Sequence, residues 1–98
     1  METQHVFSAL SDPTRRTILE LLKKNDLSVG EIAKNFDMTG ATLSHHLNKL
    51  KRADLVVAKR KGQTIIYSIN TSVFEDISGF LMDLFSTKGV KNGSVPKK

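Results

Sequence analysis

The sequence lacks cysteine and has no long apolar run. The absence of cysteine excludes disulfide bonds, metal sites built on thiolates and cysteine nucleophiles. No run approaches the roughly 18–20 apolar residues that span a bilayer, and residues 1–8 lack the apolar stretch of a secretory signal. We therefore expect a cytoplasmic protein without membrane insertion, whose chemistry depends on shape, charge, hydroxyl groups and three histidines.

The chain is also short, with 98 residues of which 39% are hydrophobic. A chain of this length forms one domain, because a second would lack a core of its own. A domain this small buries only about 60–65% of its unfolded surface, so burial against a partner adds stability. We expect one domain at residues 1–85 that forms an oligomer. Residues 86–98, with four lysines, are too polar to pack and are expected to form a disordered basic tail.

Positive charge is concentrated in one internal segment. The formal net charge is +5, and residues 39–62 carry six basic side chains against one acidic. Residues 63–85 carry three acidic side chains and no basic one. This concentration favours a polyanionic partner, because neutralised phosphates release their counterions. A solvated basic surface is the alternative explanation of the same count.

Apolar residues at helical spacing and helix-capping residues predict five helices. Asp12 is predicted to cap the second helix, whose first position suits Pro13 because no N–H is needed there. Ser28 and Glu31 match a capping box at the third helix, and Thr39 caps the fourth. The predicted helices span, in chain order, Thr3–Leu10, Pro13–Lys24, Val29–Phe36, Gly40–Ala53 and Thr71–Phe85, the last of them capped by Asn70-Thr71.

Two β-rich runs lie between the fourth and fifth helices. Leu55–Arg60 and Gln63–Ile69 are separated by Lys61-Gly62, and glycine accepts the positive φ that a tight hairpin turn requires. The third helix, a three-residue turn and the longer fourth helix form a helix-turn-helix candidate. A hairpin directly after it is a wing. The predicted fold is mainly α, a winged helix-turn-helix of about five helices and a two-stranded β-hairpin.

The fourth predicted helix separates a leucine side from a polar and cationic side. At 100° per residue Leu43, Leu47 and Leu50 lie together, and the opposite side can enter a major groove. The first turns offer N–H groups and hydroxyls, and the basic hairpin tip can reach the backbone or the minor groove. The candidate DNA-binding residues are Thr39, Gly40, Ala41, Thr42, Ser44, His45, Asn48, Lys49, Arg52, Lys59, Arg60, Lys61 and Gln63.

The histidines do not form a metal site, because no two of them lie four residues apart on one helix. His45 is expected to contact a base or a phosphate, and an idle surface histidine is the alternative. His46 borders the leucine side and is expected to be packed and hydrogen-bonded within the structure. His5 stands alone near the start of the chain.

Arg15 and Arg16 begin the second predicted helix. They could touch phosphates, but an ion pair with Glu20 or with a neighbouring segment is the preferred interpretation. No glycine loop or nucleophile elbow accompanies the serines, histidines and carboxylates, so we expect neither an enzyme nor a bound cofactor.

The fifth predicted helix has a wide apolar side. Its apolar residues cover an arc of about 140°, whereas packing against a single body needs about 100°. The first helix is the second apolar contributor, which predicts an isologous interface between two copies of the chain. The predicted interface residues are Val6, Phe7, Leu10, Val73, Ile77, Phe80, Leu81 and Leu84.

Several segments together resemble the ArsR/SmtB family of winged-helix repressors. They are Ser11-Asp12-Pro13-Thr14-Arg15-Arg16, residues 27–33, Thr42-Leu43-Ser44-His45-His46-Leu47, and Gly62 with Tyr67. The resemblance covers roughly residues 5–85 and is strongest to the subgroup without metal ligands. It implies a homodimer that binds a palindromic operator.

The sequence departs from the family pattern in two places. Metal-sensing members have cysteines at the positions of Ser28 and Gly30 and acidic and histidine ligands in the last helix, and neither pattern is present. The family often has Gln and Ser at the positions of Gly40 and Ala41. This difference shifts the expected base contacts to Thr42, Ser44 and His45.

The predicted function is that of a sequence-specific, DNA-binding transcriptional repressor. The resemblance, and the absence of any activating appendage, favour repression over activation. The expected partners are double-stranded DNA, a second copy of the chain, and a protein or small-molecule effector. The alternative is a winged-helix module that binds proteins and has no specific DNA binding.

Overall fold

A computed structural model describes residues 2–86 of the chain. Within that range the predicted order of elements is confirmed, with one additional strand. The elements are α1 (Thr3–Leu10), α2 (Pro13–Lys24), β1 (Leu27–Ser28), α3 (Val29–Ala33), α4 (Gly40–Arg52), β2 (Val56–Lys61), β3 (Thr64–Ile69) and α5 (Thr71–Phe85). The predicted tail falls almost entirely on residues 87–98, which lie outside the described part of the chain.

The predicted N-cap of α2 is confirmed. The Asp12 carboxylate accepts hydrogen bonds from the backbone N–H groups of Thr14 (2.7 Å) and Arg15 (3.2 Å), and Pro13 occupies the first turn. Desolvation raises the pKa of Asp12, but these backbone hydrogen bonds and nearby positive charge outweigh it and hold the pKa below its usual value. The cap therefore starts α2 with only two residues between it and the end of α1.

The capping box of α3 is also confirmed. The Ser28 N–H donates to the Glu31 carboxylate (2.8 Å), and the Glu31 N–H donates to the Ser28 hydroxyl (3.1 Å). The first of these bonds is the main reason that the pKa of Glu31 lies below its usual value. The predicted end at Phe36 is wrong, since α3 ends at Ala33 and a turn follows. Phe36 is half-buried against the core without being helical.

The two-stranded wing prediction misses one strand. Residues of β1 pair antiparallel with β3, Leu27 with Tyr67 and Ser28 with Ile66, which gives a three-stranded sheet in the order β1-β3-β2. A two-residue strand has no alternating pattern from which a sequence could predict it. The pairing attaches the middle of β3 to the residues that directly precede α3.

The hairpin turn lies one residue later than predicted. Lys61 pairs with Thr64, so the connecting residues are Gly62 and Gln63. Gly62 has a φ of +62°, as expected for a glycine in a tight turn. Strand β2 accordingly begins at Val56 and ends at Lys61.

The chain leaves α4 through a Schellman turn. The N–H of Leu55 donates to the carbonyl of Leu50 (3.0 Å), and that of Asp54 to the carbonyl of Lys51 (2.9 Å). Asp54 takes the left-handed position with a φ of 60°, which Asp adopts more readily than bulkier residues. Leu50 and Leu55 are both fully buried, so the turn directs the chain from the core into the wing.

The start of α5 differs from the prediction in one detail. The Asn70 side chain makes no cap hydrogen bond to the helix and instead accepts one from the Ser72 hydroxyl (3.1 Å). The helix nevertheless spans the predicted residues Thr71–Phe85.

One core joins the helices to the wing. Val6 and Ile77, both predicted at a dimer interface, lie inside it with 0% and 6% of their surface exposed. Any contact with a second copy must therefore use their more exposed neighbours. Burial raises the pKa of Tyr67, the core residue of β3. The core consists of Val6, Ala9, Ile18, Leu19, Leu22, Ile32, Leu43, Leu47, Leu50, Ala53, Leu55, Val56, Tyr67 and Ile77.

Candidate nucleic-acid interface

The polar side of α4 is open to solvent. We call this side, formed by Ala41, Ser44, His45, Asn48 and Arg52, the recognition face. All five residues are exposed, whereas the three leucines opposite them are buried. The helix is thus held by its apolar side and presents hydroxyl, imidazole, amide and guanidinium groups outward. Such a surface can hydrogen-bond base edges and phosphates of a duplex.

Some polar groups at the start of α4 hydrogen-bond to each other. The Thr39 hydroxyl accepts a hydrogen bond from the Thr42 N–H (3.1 Å) and donates one to the Thr42 hydroxyl (2.9 Å). Thr39 is therefore first of all the N-cap of the helix. Thr42 and Gly40 are exposed beside it and remain accessible to a ligand.

The basic wing residues divide between the two faces of the hairpin. Arg60 pairs with Ile65, on the face that continues the core side of the sheet, while Lys59 and Lys61 lie on the opposite face. All three cations and Gln63 are exposed. The wing can therefore meet a polyanion from either face.

The structure corrects the interpretation of Arg15. Its guanidinium donates to the carbonyls of Ala9 (2.9 Å) and Ser8 (3.2 Å) at the end of α1, and to Nδ1 of His46 in α4 (3.1 Å). Neither Arg15 nor Arg16 forms the predicted ion pair with Glu20, which pairs with Lys23 (3.3 Å). Arg15 is only 7% exposed, so it links α1 to α4 and is not a phosphate contact.

The packed role predicted for His46 is confirmed by the same contact. A guanidinium has only donors, so Nδ1 of His46 is the acceptor in this hydrogen bond. His45, next in sequence, is exposed on the recognition face, and the two rings lie 5.8 Å apart. Arg16 donates to the carbonyl of Leu10 (2.7 Å), which completes the capping of α1 by cationic side chains.

Helices α1 and α5 share an exposed apolar face. We define it by Phe7, Phe80, Leu81, Leu84 and Phe85, which are 36–83% exposed. The rings of Phe7 and Phe80 are 6.2 Å apart, so α1 and α5 contribute to one surface. Leu10 and Val73, also predicted at the interface, are half-buried against the core.

Sequence patterns missed one grouping altogether. His5 lies with Ser8, Lys49 and Arg52 around a single cleft between α1 and α4. No local signal marks it, because it exists only once the two helices pack.

Two negative findings apply to the described residues, 2–86. No group of three or more His, Cys, Asp or Glu side chains there could hold a metal ion. None of the helices in the same range is long and apolar enough to cross a membrane.

Comparisons with known proteins agree with this geometry. Residues 12–57 match the family model "Bacterial regulatory protein, arsR family". The chain is 48% identical over 85 residues to the transcriptional repressor SdpR of Bacillus subtilis (strain 168), covering 87% of this chain and 93% of the repressor. A crystal structure of an ArsR family transcriptional regulator superposes with a TM-score of 0.80 at 27% identity, over 86% of this chain and 92% of that one. The crystal structure of NolR from Sinorhizobium fredii gives a TM-score of 0.68 at 34% identity, over 85% and 83%.

Proposed function

The chain belongs to the arsR family of bacterial regulatory proteins, and on this basis we propose that it represses transcription by binding a palindromic operator as a homodimer. It is a DNA-binding transcriptional regulator with a winged helix-turn-helix fold. The observation that carries the proposal is the recognition face of α4, which is polar, cationic and uncovered beside a basic wing. The relatives named above are regulators of transcription, and we assign no enzymatic role or cofactor.

In this proposal α4 lies in the major groove and the wing follows the backbone. Side chains with both donors and acceptors read base edges, and cationic ones neutralise phosphates. The proposed base contacts come from Thr42, Ser44, His45 and Asn48, with Gly40 and Ala41 allowing close approach. The proposed backbone contacts come from Thr39, Lys49, Arg52, Lys59, Arg60, Lys61 and Gln63.

The homodimer is supported by the apolar face. Leu84 is 60% and Phe85 83% exposed, which is costly for apolar side chains of a monomer and favourable for burial against a second copy. A two-fold axis through this face would present two copies of α4 to one duplex. Release of the operator by a protein or small-molecule effector stays a prediction from the sequence.

The first test is selection of binding sites from random duplexes. We expect palindromes whose half-sites lie one helical turn apart, about 34–36 Å, because two copies of α4 read them. Affinity should fall by about 10³–10⁵ between 50 and 200 mM salt if 6–10 phosphates are contacted. Equal affinity for every duplex, or binding insensitive to salt, would contradict the proposal and favour the protein-binding alternative.

His45→Ala tests the recognition face. We expect the ratio of operator to non-operator affinity to fall by roughly 30-fold, from the loss of about 1 kcal/mol in each half-site. Lys59→Ala is the control, because losing a phosphate contact weakens binding to both duplexes alike. Competitive titration of the two duplexes measures the ratio. A lower ratio in Lys59→Ala but not in His45→Ala would reverse the two assignments.

A further inference from the structure

The cleft between α1 and α4 brings together basic and polar side chains that are far apart in sequence. His5 and Ser8 lie one turn apart on α1, and Lys49 and Arg52 lie one turn apart on α4. These four residues line a volume of about 130 Å³. Holding one water takes about 10–15 Å³ of such a volume, so the cleft can hold a group the size of a phosphate.

The charge in this cleft is uncompensated. Within residues 2–86, Lys49 and Arg52 form no ion pair with a carboxylate. The ion pair found in that range joins Lys23 to Glu20. No acidic side chain lines the cleft. Two permanent cations held together without a counterion favour an anion between them, and the hydroxyl and imidazole beside them can donate hydrogen bonds to it.

Two further features point to the same ligand. His5 lies in the first turn of α1, whose N-cap, Glu2, makes no side-chain cap hydrogen bond, so backbone N–H groups at this end also favour negative charge. Arg52 belongs to the recognition face, four residues along the helix from Asn48. The cleft therefore adjoins the surface that is proposed to contact the DNA.

We propose that this cleft binds one backbone phosphate at the edge of each half-site, with His5 and Ser8 on α1 as contacts in addition to those of α4. The inference rests on the proposed function, and it assigns a DNA contact to a helix outside the helix-turn-helix. The contact carries no base information, and it fixes the end of α4 against the backbone.

The test is a double-mutant cycle of His5→Ala and Arg52→Gln, read as affinity for operator and non-operator duplexes. Each single change should weaken binding to both duplexes by about fivefold, and the double variant should lose less than the product, because both residues hold one phosphate. Arg52→Gln should also reduce the salt slope by about 0.9 per subunit. Lys23→Gln removes the same charge outside the cleft, and its cycle with His5→Ala should be additive.

Duplexes with single phosphates replaced by neutral methylphosphonates locate the contact. One position in each half-site should weaken the wild type, and His5→Ala should lose less than the wild type there, because Lys49 and Arg52 still contact that phosphate. His5 is exposed, so unfolding curves of this variant should match those of the wild type. If the wild type binds the operator and His5→Ala binds it equally well, the proposed phosphate site is wrong but the proposed function stands. The same conclusion follows if the effects of His5→Ala and Arg52→Gln are additive. A wild type that binds no duplex overturns the proposed function and this site with it.

Discussion

Leu84→Asp is expected to convert the proposed homodimer to monomers and to weaken operator binding by about 10²–10⁴, because a monomer loses the effective concentration that links two half-sites. Leu84 is 60% exposed in the single chain, so a carboxylate there leaves the fold of one subunit intact. In the dimer the same carboxylate would be desolvated without a partner. Sedimentation velocity and operator titration, at the same protein concentrations, measure the two effects.

Met82→Asp is the matched control on the same helix. Met82 is 70% exposed and lies about 60° beyond the end of the apolar arc of α5. This variant should remain dimeric and bind the operator as the wild type does. The interface would be wrongly placed if Leu84→Asp stayed dimeric with normal binding, or if the wild type sedimented as a monomer at micromolar concentration. Leu81→Asp, at a position 37% exposed, should be monomeric as well and less stable.

Arg15→Met is expected to lower the free energy of unfolding by about 3 kcal/mol, because the substitution leaves carbonyl acceptors at the end of α1 unsatisfied. For a domain of this size the midpoint of thermal unfolding should fall by roughly 10–20 °C. Methionine fills a similar volume, so the effect reports mainly the lost hydrogen bonds. Urea unfolding at a fixed protein concentration measures it, since a dimer's stability depends on that concentration.

Arg16→Met provides the comparison for Arg15. Its guanidinium bonds one carbonyl, that of Leu10, at an exposed position. We expect its loss to cost about 1 kcal/mol or less. Equal losses in the two variants would show that the buried contacts of Arg15 with α1 and His46 add nothing to stability.

The sequence predicted those features whose cause is local. The Asp12 cap, the Ser28–Glu31 box and the positive φ of Gly62 depend on residues within a few positions of one another. The starts of α2, α3 and α4 follow from such signals. The buried leucines of α4 follow from their 3.6-residue period in the same way.

Features that depend on distant contacts were missed. Strand β1 exists because β3 lies beside it, and the partners of Arg15 are carbonyls of another helix. Phe36 fits the helical spacing of the apolar residues of α3, but the helix ends three residues before it, at Ala33. The cleft at His5 likewise needs α1 and α4 to pack. The sequence predicted the recognition face, whereas only the tertiary structure shows that His5 and Ser8 of α1 lie beside it.

The two-residue strand β1 also constrains the order in which the chain can fold. Leu27 pairs with Tyr67, 40 positions later, so loop-closure entropy must be overcome before this contact forms. Helix α3 has five residues, and helices shorter than about 12–15 residues are marginal in water by themselves. The capping box alone does not make so short a helix stable. We therefore expect α3 to become stable only after β3 has been synthesised, so a nascent chain that ends before Thr64 should contain α4 without a stable α3.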